Sequence, residues 1–338
     1  MKLSVCIATF NRARYIGETL DSILAQATDD VEVVILDGGS TDGTREVVEE
    51  FARRHPRLRY VRQETNHGVD RDFDTAVHLA TGEYCWLMSD DDLLRPGAIR
   101  TVLDALDRGY SLLVVNSEVR SHDMSRLFED RRVVVDADRQ YGSDEMDRLF
   151  ADAGVYLSFI GCVVIRRSIW LERDRESYYG SLFIHVGVIF QERLPGSALV
   201  IAAPLISIRY GNALWKSKEF EIWMFKWPSL LWSLRGVTDA ARTIVCKAEP
   251  WRRTRILLFY RAKGTYSLTE YRRWIKPRTT SLRGRLSAAL TALVPGSVAN
   301  AIALFYCRFF HRGSGLILRD VMNSRYYFGN WFNAKRRS

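Results

Sequence analysis

The residues best suited to chemistry in this chain sit where short apolar runs end. The stretch "YCWLMSDDDLL" drives an apolar segment straight into Ser89, Asp90, Asp91 and Asp92. Adjacent carboxylates repel one another, and burying one is costly unless a positive group pairs with it. The cluster therefore reads either as a solvated turn or as a seat for a hard cation. Two other polar groups follow apolar runs in the same way. "LSVCIATF" leads to Thr9, Asn11 and Arg12, and "VEVVILD" ends on Asp37 ahead of "GGSTDGT". In open α/β sheets, ligands bind beyond the carboxyl ends of the strands, so these loops would converge if their strands are neighbours.

The elements that must position them follow from periodicity. Over about the first 115 residues, apolar runs alternate with helical patterns. "RARYIGETLDSILAQ" puts Tyr15, Ile16, Leu20, Ile23 and Leu24 on one helical face. "VDRDFDTAVHLATG" turns Phe73, Ala76, Val77 and Ala80 inward, with Gly82 past its end. "PGAIRTVLDALDRG" opens on Pro96 and stops at Gly109. Strands are expected in "LRYVRQ", "EYCWLMS" and "SLLVVNS". Such alternation predicts an α/β fold with a mostly parallel sheet covered on both faces. From 116 to 215 the pattern is less regular, with strand candidates in "YLSFIGCVVIRR" and "ALVIAAPLISIRY" and a helix around "SLFIHVGVIFQERL".

The 338 residues suffice for one large or two ordinary domains. The five cysteines form no CxxC pair and no Cys/His cluster, which argues against zinc and disulfide frameworks and fits a reducing compartment. No charged-then-apolar leader precedes the first strand, so no secretory signal is expected. A P-loop is excluded by the lack of GxxxxGK[ST], and a dinucleotide fingerprint by "TFNRARY" after the first strand. GxSxG is also missing.

"VCIATFNRARYIGETLDSIL", then "VVILDGGSTDGT", then "ATGEYCWLMSDDDLLRPGAI" resembles the family-2 glycosyltransferases of GT-A fold, in order and spacing, over about the first 110 residues. The resemblance implies an inverting, metal-dependent transfer of a sugar from a nucleotide-sugar to a saccharide hydroxyl. It places Thr9 in the nucleotide pocket, Asp37 against the nucleobase and Asp90 near the ribose. Asp91, with Asp92 following, would hold Mg2+ or Mn2+ on the diphosphate. Asn11 and Arg12 join the nucleotide-sugar set. Ser89 departs from the usual first aspartate of a DxD motif, Phe73 and Asp74 replace a frequent Arg and Asn, and no Glu-Asp base motif is evident. The segments "WLMSDDD", "SLFIHV" and "RYGNALW" are similar to abequosyltransferase-like members, which transfer deoxysugars onto lipid-linked O-antigen units.

The reaction so implied needs a charge sink and a base. A cation held by carboxylates offsets the charge that grows as the sugar leaves. The acceptor hydroxyl needs a general base within reach. His185 is the first candidate, since an unperturbed imidazole titrates near ~6.5. Glu172 and Asp174 are alternatives. Arg209 or Lys216 could neutralise diphosphate, and Trp215 could stack on sugar or base.

A net charge of +9 hides an asymmetry. From Arg235 onward there are 21 Lys and Arg against 4 Asp and Glu, whereas the residues before it carry 28 against 36. The expected division is a catalytic domain over 1–218 and a basic, aromatic-rich helical segment over 219–338. An anionic partner is implied for that segment. The uncharged run Leu286 to Cys307 is broken by Pro295-Gly296, which predicts two short helices joined by a tight turn. Arg283, Arg285, Arg308 and Arg312 flank it, with Phe305, Tyr306, Phe309 and Phe310 nearby, a composition suited to a lipid headgroup interface. The expected setting is the inner face of the cytoplasmic membrane. A nucleic-acid-binding protein and a metal-dependent nucleotidyltransferase are the alternative readings. The first leaves the N-terminal loops unexplained, and the second lacks its Gly-rich, basic triphosphate loop.

Overall fold

A computed structural model describes residues 1–310 and 315–329. The chain forms two compact units. The first holds 1–212 and 230–245, and the second holds 213–229 and the residues from 246 on. The chain thus returns to the first unit once, rather than dividing at a single cut near 218.

The first unit is built on one sheet of β1 (Leu3–Thr9), β2 (Val31–Asp37), β3 (Leu58–Arg62), β4 (Tyr84–Met88), β5 (Leu93–Leu94), β6 (Leu112–Arg120), β7 (Leu127–Glu129), β8 (Arg139–Tyr141), β9 (Val163–Arg166) and β10 (Ala198–Arg209). Its order is β3-β2-β1-β4-β9-β6-β10-β5, with β7 on β6 and β8 on β10. β1 to β4 are mutually parallel, β9 runs against both β4 and β6, and β10 is parallel to β6. β4, β6 and β10 therefore point the same way as β1 and β2, and their carboxyl ends share one edge. β4 and β2 are buried at every position, as expected of strands covered on both faces.

The helices obey the same logic. In α1 (Ile16–Leu24), Ile16, Leu20 and Ile23 fall at helical spacing and are buried. With Val48 of α2 (Thr44–Arg54) and Ile99 and Val102 of α4 (Ala98–Leu106), they pack on Val5, Ile7, Ile35, Trp86 and Met88. Gly97 before α4 has φ +81°, a left-handed turn that glycine takes without strain. α3 (Val69–Leu79) buries Asp70, Asp72 and Asp74 beside Phe73, Ala76 and Val77. α5 (Met146–Ala153), α6 (Arg167–Glu172) and α7 (Ile184–Phe190) follow, and the returning segment adds a helix at Asp239–Val245. The strand expected in "YLSFIGCVVIRR" is shorter than its apolar run, since two single-turn helices precede Val163.

The second unit is helical. Phe220, Met224, Trp251, Leu257, Tyr260 and Tyr266 share a core with Ala288 and Ala292. Its buried cation, Lys263, is paired with Glu219 and with Asp320 at 2.9 Å. The uncharged run forms the two expected helices, Leu282–Leu293 and Gly296–Phe309, bent by 97°. Arg312 lies outside the described residues.

Candidate active site

The parallel register brings the polar loops together. Thr9 and Asp37 are paired positions at the ends of β1 and β2, and Met88 ends β4 on the other side of β1. The loop after β1 is fastened to the loop after β2. Asn11 adopts φ +55°, a region asparagine tolerates better than most residues. Its backbone N–H donates to Ser40 Oγ at 2.8 Å, and its side-chain oxygen accepts from the Thr41 N–H at 2.8 Å. The Arg12 N–H donates to Thr44 Oγ1 and the Ala13 N–H to Asp42. Asn11 thus joins two loops, and the turn it makes aims the Arg12 side chain along the edge.

Arg12 meets the aspartate cluster. Its Nε lies 3.3 Å from Asp90 Oδ1 and its Nη2 lies 3.1 Å from Asp91 Oδ2. A third guanidinium nitrogen donates to the Asn212 carbonyl at 3.2 Å, and the Asn212 side chain donates to Asp91 Oδ2 at 2.8 Å. The guanidinium therefore bridges two adjacent buried carboxylates. It does not cancel their charge. Burial, then repulsion from Asp91, pushes the Asp90 carboxyl up to about 7 against the pull of Arg12. Burial also raises Asp91, opposed by Arg12 and Arg209. The buried Thr9 hydroxyl lies beside the Asp90 carboxyl and favours its ionised form.

Asp92 and Arg209 tie the end of β10 to the aspartate loop. The Asp92 oxygens accept from Ser89 Oγ and from the Arg209 N–H, the latter at 2.7 Å. Asp92 is thus a latch between the loop after β4 and the end of β10. Arg209 Nε donates to the Asp91 carbonyl, one terminal nitrogen to the His122 carbonyl and the other to Glu18. With its donors so engaged, Arg209 positions the Asp91 loop in this structure instead of standing open to a diphosphate.

Asp37 is fully buried. It accepts from the Ser40 N–H at 2.7 Å and from the Tyr60 hydroxyl at 2.6 Å. Gly38 follows, and a Cβ there would lie 3.0 Å from Asp72 Oδ2, a tight fit that the Asp72 carboxylate would have to ease by shifting. Burial, then the charges of Asp37 and Asp70, raises Asp72 to about 6. The sequence reading missed Asp72. Its spacing of four from Ala76 was the available signal that it faces inward. Asp70 accepts from the N–H groups of Leu182 and Ile184 at the start of α7. Asp74 accepts from Trp170 Nε1 and the Tyr179 hydroxyl and faces Arg175. Of the two departures from the family pattern in α3, Asp74 thus builds internal polar contacts and Phe73 is buried.

His185, the candidate general base, lies in the core of the first unit. It is fully buried in α7, and its Nε2 faces the Leu157 carbonyl at 2.7 Å while Nδ1 has no partner. Burial lowers its pKa to about 4. The structure holds it as a buried histidine in contact with the Leu157 carbonyl. Of the alternatives, Glu172 is exposed and Asp174 accepts from the Ser177 N–H. Trp215 and Lys216 belong to the second unit, where Trp215 meets Trp223 edge-on at 6.0 Å.

A sheet whose carboxyl edge gathers a strand-end aspartate, an Asp-Asp pair and a bridging arginine has the GT-A architecture of the glycosyltransferases. The chain belongs to glycosyl transferase family 2, which matches residues 4–172. It is similar to abequosyltransferase RfbV of Salmonella typhimurium, 29% identical over 232 residues that cover 64% of this chain and 69% of that protein. It is also similar to the GalNAc(5)-diNAcBac-PP-undecaprenol beta-1,3-glucosyltransferase of Campylobacter jejuni, 28% identical over 185 residues, which cover 53% of this chain and 57% of that one. Among solved structures, S. aureus TarS 1-349 in complex with UDP aligns over 99% of this chain and 92% of that one. Its TM-score is 0.59 at 18% identity, a likeness of fold.

Proposed function

We propose that this chain moves a sugar, a deoxyhexose in the reading favoured here, from a nucleotide-sugar to a hydroxyl of a lipid-linked saccharide. The transfer inverts the anomeric carbon and serves bacterial O-antigen or related surface polysaccharide synthesis at the inner face of the cytoplasmic membrane. The observation that carries this is the convergence of Thr9, Arg12, Asp37, Asp90 and Asp91 on one sheet edge. The abequosyl and PP-undecaprenol activities named for its relatives support the choice of donor and acceptor.

In this reading Asp37 and Asp72 face the nucleobase, and the Thr9 hydroxyl lines the nucleotide pocket beside Asp90. Arg12 lies beside the diphosphate. The asparagine at 212 holds the Asp91 carboxylate in place, and Arg209 holds the loop that carries it.

A divalent cation fits Asp90 and Asp91. They are hard oxygen donors whose mutual repulsion one guanidinium leaves uncancelled. Among the described residues no three His, Cys, Asp or Glu side chains form a ready cation cage. Phosphate oxygens of the donor would complete the coordination, as is usual for Mg2+. Asp91 would be the protein ligand with Asp90 beside it, and bound Mg2+ or Mn2+ supplies Lewis-acid stabilisation of the departing diphosphate.

The test is thermal stabilisation of the purified chain by UDP, GDP, TDP and CDP, each with and without Mn2+. A selective, metal-dependent rise is expected. If no diphosphate shifts the melting of a folded sample, the nucleotide-sugar reading fails.

A further inference from the structure

The helices Leu282–Leu293 and Gly296–Phe309 are built inside out. In the first, Leu282, Leu286, Leu290 and Leu293 recur at steps of four, four and three and so share a face. In the second, Val298, Ile302, Phe305 and Phe309 do the same. All of them point outward, each between 48% and 71% exposed. The inward faces are made of small residues instead. Ala288 and Ala292 pack in the core of the second unit, and Ala299, Ala303 and Cys307 pack on Ala262 and Val321. At Gly296 the Tyr326 ring sits only 2.3 Å from where a Cβ would be. A helix on the surface of a water-soluble protein puts its large apolar residues inward. Small residues inward and large apolar residues outward is the arrangement of helices whose outer solvent is lipid.

We infer that this outward face is a membrane-docking surface, on which both helices lie in the headgroup–acyl boundary of an anionic bilayer. Length decides between lying and spanning. At ~1.5 Å per residue, helices of 12 and 14 residues reach roughly 18 and 21 Å, short of a ~30 Å hydrocarbon core. Their 97° bend rules out one straight span. Charge selects the lipid. Arg283, Arg285 and Arg308 are exposed on the same helices, in a region with 21 basic against 4 acidic residues. Phe305, Tyr306, Phe309 and Phe310 cluster at the last turn, ring centroids 4.9 to 6.2 Å apart, as aromatic residues do at a membrane–water boundary. The inference rests on the proposed function in one respect, that the acceptor is carried in the same bilayer.

The experiment is co-flotation of the full chain with vesicles of phosphatidylcholine alone or with about one-third phosphatidylglycerol, at low and high salt. Binding to the anionic vesicles that persists in part at high salt is expected. The variant carrying Leu286→Gln, Leu290→Gln, Phe305→Gln and Phe309→Gln together should lose at least about tenfold in the bound-to-free ratio. All four side chains point to solvent, so its folding should survive. Nucleoside-diphosphate stabilisation should match the parent and so report the fold separately. Equal flotation of parent and variant would overturn the inference. So would a parent that ignores anionic vesicles, or one that forms a dimer which the four substitutions dissociate without any lipid binding. Flotation without nucleotide stabilisation would instead remove the proposed function and leave the docking surface standing.

Discussion

At the carboxyl edge of the sheet the chain buries charge, whereas along 282–309 it exposes large apolar side chains. Each region reverses the ordinary partition between inside and outside, and each reversal costs stability in the free protein. Asp90 and Asp92 are buried and Asp91 mostly so, with one guanidinium between the first two, yet their pKa values are all pushed up. In the proposed reading, the strain of holding these carboxylates ionised is what a bound cation would relieve. The exposed leucines and phenylalanines are a demand for an apolar medium. Reversals of this kind persist where a ligand or a surface relieves them.

The largest expected effect follows from the buried charge. Asp91→Asn should lower turnover by about 10²- to 10³-fold, the scale of removing a group that stabilises developing charge. It should also abolish the Mn2+-dependent part of nucleotide stabilisation while the unliganded melting temperature holds or rises. A variant with full metal dependence would show that Asp91 is only part of a polar turn.

Arg12→Gln attacks the same cluster from the cationic side. Removing one partner of a buried pair leaves an uncompensated charge and costs about 3 kcal/mol or more. Denaturant unfolding at about pH 8 should show that loss, and Mn2+ with nucleotide should recover part of it. An unchanged stability would mean that water, not Arg12, neutralises the carboxylates.

Asp72→Asn should act in the opposite direction. Folding raises the Asp72 pKa from 3.8 to about 6, so the folded state favours the proton. Its contribution is fully favourable below the unfolded pKa and is lost as pH rises through the folded one. Above that window the ionised form penalises the fold by at most about 2–3 kcal/mol. The variant should therefore be more stable than the parent near pH 8, with the gap closing towards pH 4. Parallel stability–pH curves would show that the carboxyl is not strained.

Much of this edge was legible in the sequence. The runs ending on Thr9, Asp37 and Met88 announce strands by unbroken apolarity, and parallel strands put their ends together. The GT-A expectation, the α/β sheet and the broken pair after Leu282 all hold. The parts that were not legible depend on long-range contacts. Asp92 looks like its two neighbours in the chain, and only β10 arriving with the Arg209 N–H makes it a latch. His185 has the right chemistry for a base until Leu157 is found against its ring. The return of 230–245 to the first unit leaves no composition signal, because Leu230, Leu231 and Leu234 are as apolar as the helical core on either side. In the same way, an uncharged helix does not declare which of its faces is inward. That needed the partners of Ala299 and Ala303.

The smallest expected effects test that last point. If small residues are inward because helices must approach closely there, enlarging one should be costly and truncating an outward residue should not. Ala299 is fully buried beside Ala262 and Val321, so Ala299→Leu overpacks the contact and should cost about 2 kcal/mol in denaturant unfolding. Leu290 is exposed, so Leu290→Ala should change stability by less than about 0.5 kcal/mol, where a buried Leu→Ala costs roughly 2–5. The pair is informative because a conventional soluble helix gives the reverse ranking: its large apolar residues carry the core and its alanines tolerate growth. If Leu290→Ala proved the costlier change, the outward stripe would be packed against protein in solution. The 282–309 pair would then be an ordinary hairpin, and only the buried charge at the sheet edge would remain as a reversal in need of a ligand.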